Sequence, residues 1–260
     1  MAKCSVTPAR RRCAAPAADT AVPDQQTPIQ CDIGIEQLRQ RIRTLGNPDN
    51  ERVYGYVVRT VHLSDGKFNQ QGSGPNWQGG LITLCTCKHS MRSSLPAGEW
   101  LKGKWVAGLT GWNSEFDKQQ SLVYLMRVGE AFGSQAELVV HLRASGRDGV
   151  VRAKDSSVHR LGDLMIPTTT GLSLDPNDPK MYHPPLLGHV HRQSTTDKDW
   201  ETDIHYVGYA GREPVMLAGD SRYSFRWTRP VIRRSRPGYT RPYRIWTLSD
   251  LLADIEEVPV

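Results

Sequence analysis

The chain has 260 residues, 38% of them hydrophobic and 23% charged, with a net charge of +6 and a pI near 9.1. That is enough for one large folded domain or two small ones. No apolar run reaches membrane-spanning length, and the start "MAKCSVTPARRRCAAPAADT" lacks the continuous apolar stretch of a secretory signal, so a cytoplasmic protein is expected. Five cysteines is an odd number, which argues for reduced thiols rather than a disulfide framework.

Residues 1–31 are rich in Ala, Pro, Thr and Gln, a composition that predicts a disordered tail. In "DIGIEQLRQRIRTLGNPDN" the residues Ile33, Ile35, Leu38, Ile42 and Leu45 recur at helical spacing. Asp32 is the expected N-cap, and Gly46, Asn47 and Pro48 end the pattern, so an amphipathic helix is predicted over 32–46. It either packs on the main domain or joins a protein partner. Strands are predicted in "RVYGYVVRTVHL", in "LITLCTC" after a Gly-rich loop, and in "GKWVAGLTGW" and "SLVYLMRVGEAF", with a short helix in "SQAELVVHLRA".

After Gly149 a long segment poor in regular structure is predicted, the kind that carries functional loops. "DIHYVGYAG" and "EPVMLAG" predict two more strands, and Thr247 with Asp250 predicts a capping box that opens a last helix. No repeat or linker divides residues 52–260. The fold class expected is a single α+β, β-rich domain with a twisted, mostly antiparallel sheet and a few short helices.

The clearest binding signal is the basic aromatic segment 221–246. Between Ser221 and Ser249 there are eight arginines and no acidic residue. Among them Arg226, Arg233, Arg234 and Arg236 are interleaved with aromatics such as Trp227, the combination by which proteins neutralise phosphates and stack on bases. In "GSGPNWQGG", Asn76 and Trp77 sit in a glycine-rich loop suited to reading and stacking on a base.

In "LCTCKHSMR" a strand would place Cys85 and Cys87 on one face, followed by Lys88 and Arg92 as an anion-binding pair. Cys87 is the candidate nucleophile and His183 the candidate acid or base. Cys85, Cys87 and His89 with His189 and His191 sketch a mixed metal site. Neither half has the usual zinc spacing, so no metal is assigned.

The order "GPNWQGG", "TLCTCKHSMR", "PAGEWLKG" and "LVYLMRVGEAF" resembles the second of the nucleotide-modification-associated domain families of bacteria and phages. The matching positions are Pro75, Asn76, Thr83, Leu84, Cys87, Lys88, Arg92, Gly98, Trp100, Gly103, Tyr124, Met126, Arg127 and Val128. "LGDLMI" and "VMLAGDSRYSF" fit more loosely. The chain departs from the pattern at Thr86, His89 and Glu99, where a second cysteine, a proline and an aspartate are expected.

The resemblance implies a role in DNA base modification and adds Arg127 to the expected nucleotide-binding set. DNA or a nucleotide is the expected partner, and no cofactor is indicated. The alternatives are a non-catalytic reader of modified bases and a subunit that joins a phage or defence assembly.

Overall fold

The protein is described by a computed structural model covering residues 29–169, 171, 175–186, 200–208, 211–233 and 243–257. Its main sheet runs in the order β1 (Gln30–Cys31), β8 (Met216–Arg233), β7 (Gln120–Phe132), β6 (Lys104–Leu109), β2 (Arg52–Val57) and β9 (Arg244–Thr247). Two short strands, β5 (Thr83–Leu84) and β10 (Ile255–Glu257), add to β8 as well. β1 with β8 and β2 with β6 are parallel, and every other pairing in this sheet is antiparallel. The path is open from β1 to β9 rather than closed into a barrel, and β3 (Val61–Ser64) with β4 (Lys67–Gln70) forms a small second sheet.

Alternation along the strands sorts the core into layers. Val53, Trp105, Ala107, Leu125, Phe225 and Trp227 face one side. There α1 (Ile35–Arg43) and α7 (Leu248–Asp254) cover them with Ile35, Leu38, Ile42, Leu248 and Leu251. The interleaved residues Tyr54, Tyr56, Val106, Tyr124 and Met126 face the other side. They pack against Ile82, Leu84, Met91 and Trp100 from the chain around α2 (His89–Arg92) and α3 (Ala97–Trp100). α4 (Gln135–Ala144) and α5 (Asp148–Lys154) close a third cluster with Cys85, Leu164 and Met216.

Thr247 and Asp250 form the expected reciprocal capping box of α7, and Ser134 caps α4 by accepting from the Glu137 N–H at 3.1 Å.

Several expectations are corrected. Gln30 and Cys31 pair with Phe225 and Arg226, so the N-terminal boundary of the domain lies earlier than residue 32; residues 1–28 lie outside the described residues. α1 is shorter than 32–46 and begins after Gly34. Asp32 does not cap it, because its carboxylate accepts instead from the Thr228 N–H (2.6 Å) and hydroxyl (2.7 Å).

"LITLCTC" is a strand only at Thr83–Leu84, so Cys85 and Cys87 do not share a strand face. The segment after Gly149 holds most of α5, and "DIHYVGYAG" opens as helix α6 (Glu201–His205) rather than as a strand. The basic segment is the second half of an 18-residue strand, β8, up to Arg233.

The apolar face of α1 is buried in the first cluster, so the helix packs on the main sheet. Leu38→Ala is therefore expected to lower global stability by about 2–5 kcal/mol, the range for truncating a buried leucine. A stability loss of under about 0.5 kcal/mol, taken from the shift in urea midpoint multiplied by m, would show that the helix is not part of the core.

Candidate active site at the Cys87 to His89 turn

The turn is built from below by a buried carboxylate. Asp163, fully enclosed, accepts from the Thr83 hydroxyl (2.7 Å), the Thr86 hydroxyl (3.0 Å) and the Thr86 N–H (3.3 Å). Beside it the buried Lys154 ammonium donates to the Asn76 side-chain oxygen (2.6 Å) and backbone carbonyl (3.2 Å). The Asn76 amide in turn donates to the Leu161 carbonyl. Both ends of this amide are thus engaged in the interior, and Asn76 is not placed to read a base edge.

These contacts tie the glycine-rich loop to the end of β5. Gly74 needs to lack a side chain there, because a Cβ would stand 2.9 Å from the Cys87 sulfur.

Beyond Thr86 the chain turns sharply. Lys88 adopts the left-handed conformation (φ 60°, ψ 43°), which is uncommon for a residue with a side chain and costs about 1–2 kcal/mol. Its amine lies 4.9 Å from the centre of the Tyr56 ring, and burial lowers its pKa from the usual lysine range. Arg92, one turn further along α2, has different partners. It is fully buried, and its guanidinium donates to the Cys87 carbonyl (2.8 Å) and the Val215 carbonyl (2.9 Å). Lys88 and Arg92 therefore do not flank a common anion: one braces the turn from inside while the other stands over it.

His89 opens α2 and meets a partner distant in sequence. Its Nε2 is 2.5 Å from the Asp203 carboxylate on α6, and the Tyr206 ring stacks on the imidazole at 4.5 Å. Asp203 is fully buried, whereas the His89 side chain keeps 14% of its surface exposed. An imidazole held this way can take up and return a proton at a fixed position.

Cys87 is half-buried beside this pair. Burial, then the Asp203 and Asp163 charges, push its thiol up to about 11 against the opposing pull of Arg92. It rests as a thiol at neutral pH, so nucleophilic chemistry there first needs a base. Cys85 is fully buried and acts as a core residue.

His183 is exposed, and its described contact is its backbone N–H donating to the Ile166 carbonyl at 2.9 Å; no interaction joins it to Cys87 among the described residues. Arg127 forms a two-pronged pair with Glu51 (both contacts 3.1 Å), which also accepts from the Trp105 indole N–H, so it is a structural brace.

Trp227 is buried and donates to the Ile33 carbonyl, and is not a stacking platform. Arg233 is buried, donating to Asp254 (2.8 Å) and Gln120 (2.7 Å) and lying 4.6 Å over Trp246. Of the arginine–aromatic candidates, Arg226 and Trp77 are both half-buried, with the guanidinium 4.0 Å from the centre of the indole ring. Arg234, Arg236, His189 and His191 lie outside the described residues. Among the described residues no three potential metal ligands come together.

The sequence missed Asp203 and the pairing it makes, because the two partners are far apart in the chain and Asp203 falls in a segment that reads as strand. No known protein family, curated protein or solved structure matches the chain. No helix among the described residues is long and apolar enough to cross a membrane.

Two measurements check the electrostatics. Burial lowers the Lys154 ammonium from 10.5 to about 7, so between those values the unfolded chain holds a proton that the folded chain has released. Stability should therefore rise with pH across that window, by on the order of 1–2 kcal/mol between about pH 7 and 8.5. Lys154→Met should remove this slope in urea titrations; an unchanged slope would contradict the assignment. The Asp203 charge disfavours the Cys87 thiolate, so Asp203→Asn should speed alkylation of Cys87 by iodoacetamide at about pH 8, read by peptide mapping. Alkylation slowed by the substitution would contradict the sign argued for Asp203.

Proposed function

We propose that the chain is an enzyme acting on a nucleobase or nucleotide, DNA included, with His89 backed by Asp203 as its proton-transfer group. The observation that carries this reading is the short pair between a partly exposed imidazole and a fully buried carboxylate, set where Cys87 and Lys88 also converge. Buried acidic partners that orient an imidazole are a recurrent feature of proton-transfer sites.

In this reading His89 accepts a proton from a substrate group and returns one later. Lys88 has no carboxylate partner among the described residues, so its half-buried ammonium is open to polarise a substrate oxygen or hold an anion. Cys87 serves as a neutral donor, or as a nucleophile once His89 has taken its proton. The nucleic-acid class is supported by the resemblance of residues 75–128 to the nucleotide-modification-associated domains, whose matched Cys87, Lys88 and Arg92 all lie in this turn.

The test is to express the chain in a bacterial host, digest host DNA and the nucleotide pool to nucleosides, and compare them by mass spectrometry. A nucleoside of altered mass is expected with the native chain, reduced about 100-fold or more by His89→Gln and about 10-fold or more by Asp203→Asn. An altered nucleoside that persists undiminished with His89→Gln would sink the role of the pair. DNA binding with no altered nucleoside would instead identify a reader.

A further inference from the structure

We infer that Arg226, laid on the indole of Trp77, is a preformed site for a phosphate group. Arg226 lies opposite Tyr124 in the sheet, Tyr124 opposite Gly108, and Gly108 opposite Tyr56. Directly paired residues share a face, so these four form one row across β8, β7, β6 and β2. Tyr56, at the far end, carries the Lys88 amine on its ring. With strands about 4.8 Å apart, the two ends of the row are separated by about 14 Å along the backbone. Arg226 thus faces the same side of the sheet as the turn of Cys87, Lys88 and His89.

The guanidinium of Arg226 is 4.0 Å from the centre of the Trp77 ring and is half-buried. Its Nε is enclosed without a hydrogen-bond partner, and the group donates to no acceptor among the described residues. Arg233 has Asp254 and Gln120, Arg127 has Glu51 and Arg147 has Glu130, and Arg92 donates from its Nε and Nη1 to backbone carbonyls while its Nη2 has no hydrogen-bond partner among the described residues. An enclosed donor without an acceptor costs about 1–3 kcal/mol, which the protein tolerates where a ligand supplies the acceptor.

The Asp32 carboxylate favours the charge but accepts from Thr228 and makes no hydrogen bond to Arg226, so it does not fill the fork. Trp77 is held by its own packing in the second cluster and by the anchored Asn76 beside it. Stacking therefore fixes the plane of the guanidinium before any ligand arrives, and a planar fork recognises a phosphate through two parallel hydrogen bonds. With Arg226 on its indole, Trp77 orients the arginine rather than stacking on a base.

Naming the anion as phosphate rests on the nucleotide reading above; it comes either from a free nucleotide or from a DNA backbone. The test uses ¹⁵N-labelled full-length chain and follows the Trp77 indole resonance, assigned with Trp77→Phe. The probes are inorganic phosphate, a deoxynucleoside, its 5′-monophosphate and a single-stranded oligonucleotide, with affinities measured at two salt concentrations. The phosphate-bearing probes should move the resonance and the unphosphorylated nucleoside should not. Tighter binding of the monophosphate than of the oligonucleotide assigns the source as a free nucleotide, and the reverse order assigns it as DNA.

Arg226→Lys, which keeps the charge and loses the fork, should weaken binding about 10-fold. Arg226→Gln should weaken it at least as much and lower the salt slope for the oligonucleotide by about 1. Trp77→Phe should have a smaller effect of the same sign, and melting curves confirm that each variant is folded. Native-like affinity in both Arg226 variants, or a Trp77 resonance unmoved by saturating phosphate, overturns the inference.

The outcome is separable from that of the catalytic reading. Loss of an altered nucleoside in His89→Gln with native-like binding in the Arg226 variants removes only the phosphate site. Phosphate binding that needs Arg226, with no altered nucleoside in any host, leaves the phosphate site standing and removes the enzyme.

Discussion

The grip of one buried carboxylate on two threonines organises everything around the candidate site. Asp163 draws Thr83, which is in β5, and Thr86, which has already left it, onto a single point. Lys154, within electrostatic reach of that carboxylate, fastens Asn76 and with it the glycine-rich loop. Buried polar groups are tolerated only when their partners are in place, so this network leaves the turn little choice of conformation. The left-handed backbone of Lys88 follows, because the chain must reverse between the anchored Thr86 and a helix pinned from inside by Arg92.

Desolvation decides which charges do what. A basic segment with eight arginines looks from its composition like one continuous binding surface. In the sheet, strand alternation and packing send these residues to different fates. Arg233 passes into the interior, where only acceptors such as Asp254 and Gln120 make burial tolerable. Arg226 is held against an indole and has no acceptor among the described residues, and Arg222 and Arg229 face solvent. Net charge describes the solution behaviour of such a strand, whereas the position of each side chain describes its chemistry. The same logic separates Lys88 from Arg92: four residues apart, one is half-buried against the Tyr56 ring and the other is fully buried on backbone carbonyls.

Much of the architecture was legible. The amphipathic pattern of Ile35, Leu38 and Ile42, the alternating strands β2, β6 and β7, the Ser134 cap of α4 and the capping box of α7 are all local signals. Each depends on residues within a few positions of one another. The misread elements lack that property. Leu81 to Cys87 reads as a strand from its composition, but only Thr83 and Leu84 find a ladder partner, because Asp163 draws the chain away after Leu84 through Thr86. "DIHYVGYAG" has the composition of a strand, yet its first residues are held as a helix by the docking of Asp203 and Ile204 into the protein.

By itself the sequence determined a β-rich α+β chain, an amphipathic helix ahead of it, a cysteine–lysine–histidine turn and an arginine–aromatic segment. These follow from periodicity and composition, which act over short spans of chain. The tertiary structure decided which of those residues matter together: that His89 meets Asp203, that Arg92 turns inward, that Asn76 serves Lys154, and that Arg226 is oriented on Trp77. The physical reason is that burial sets the energy of a charge or a polar group, and burial is a property of distant segments brought into contact.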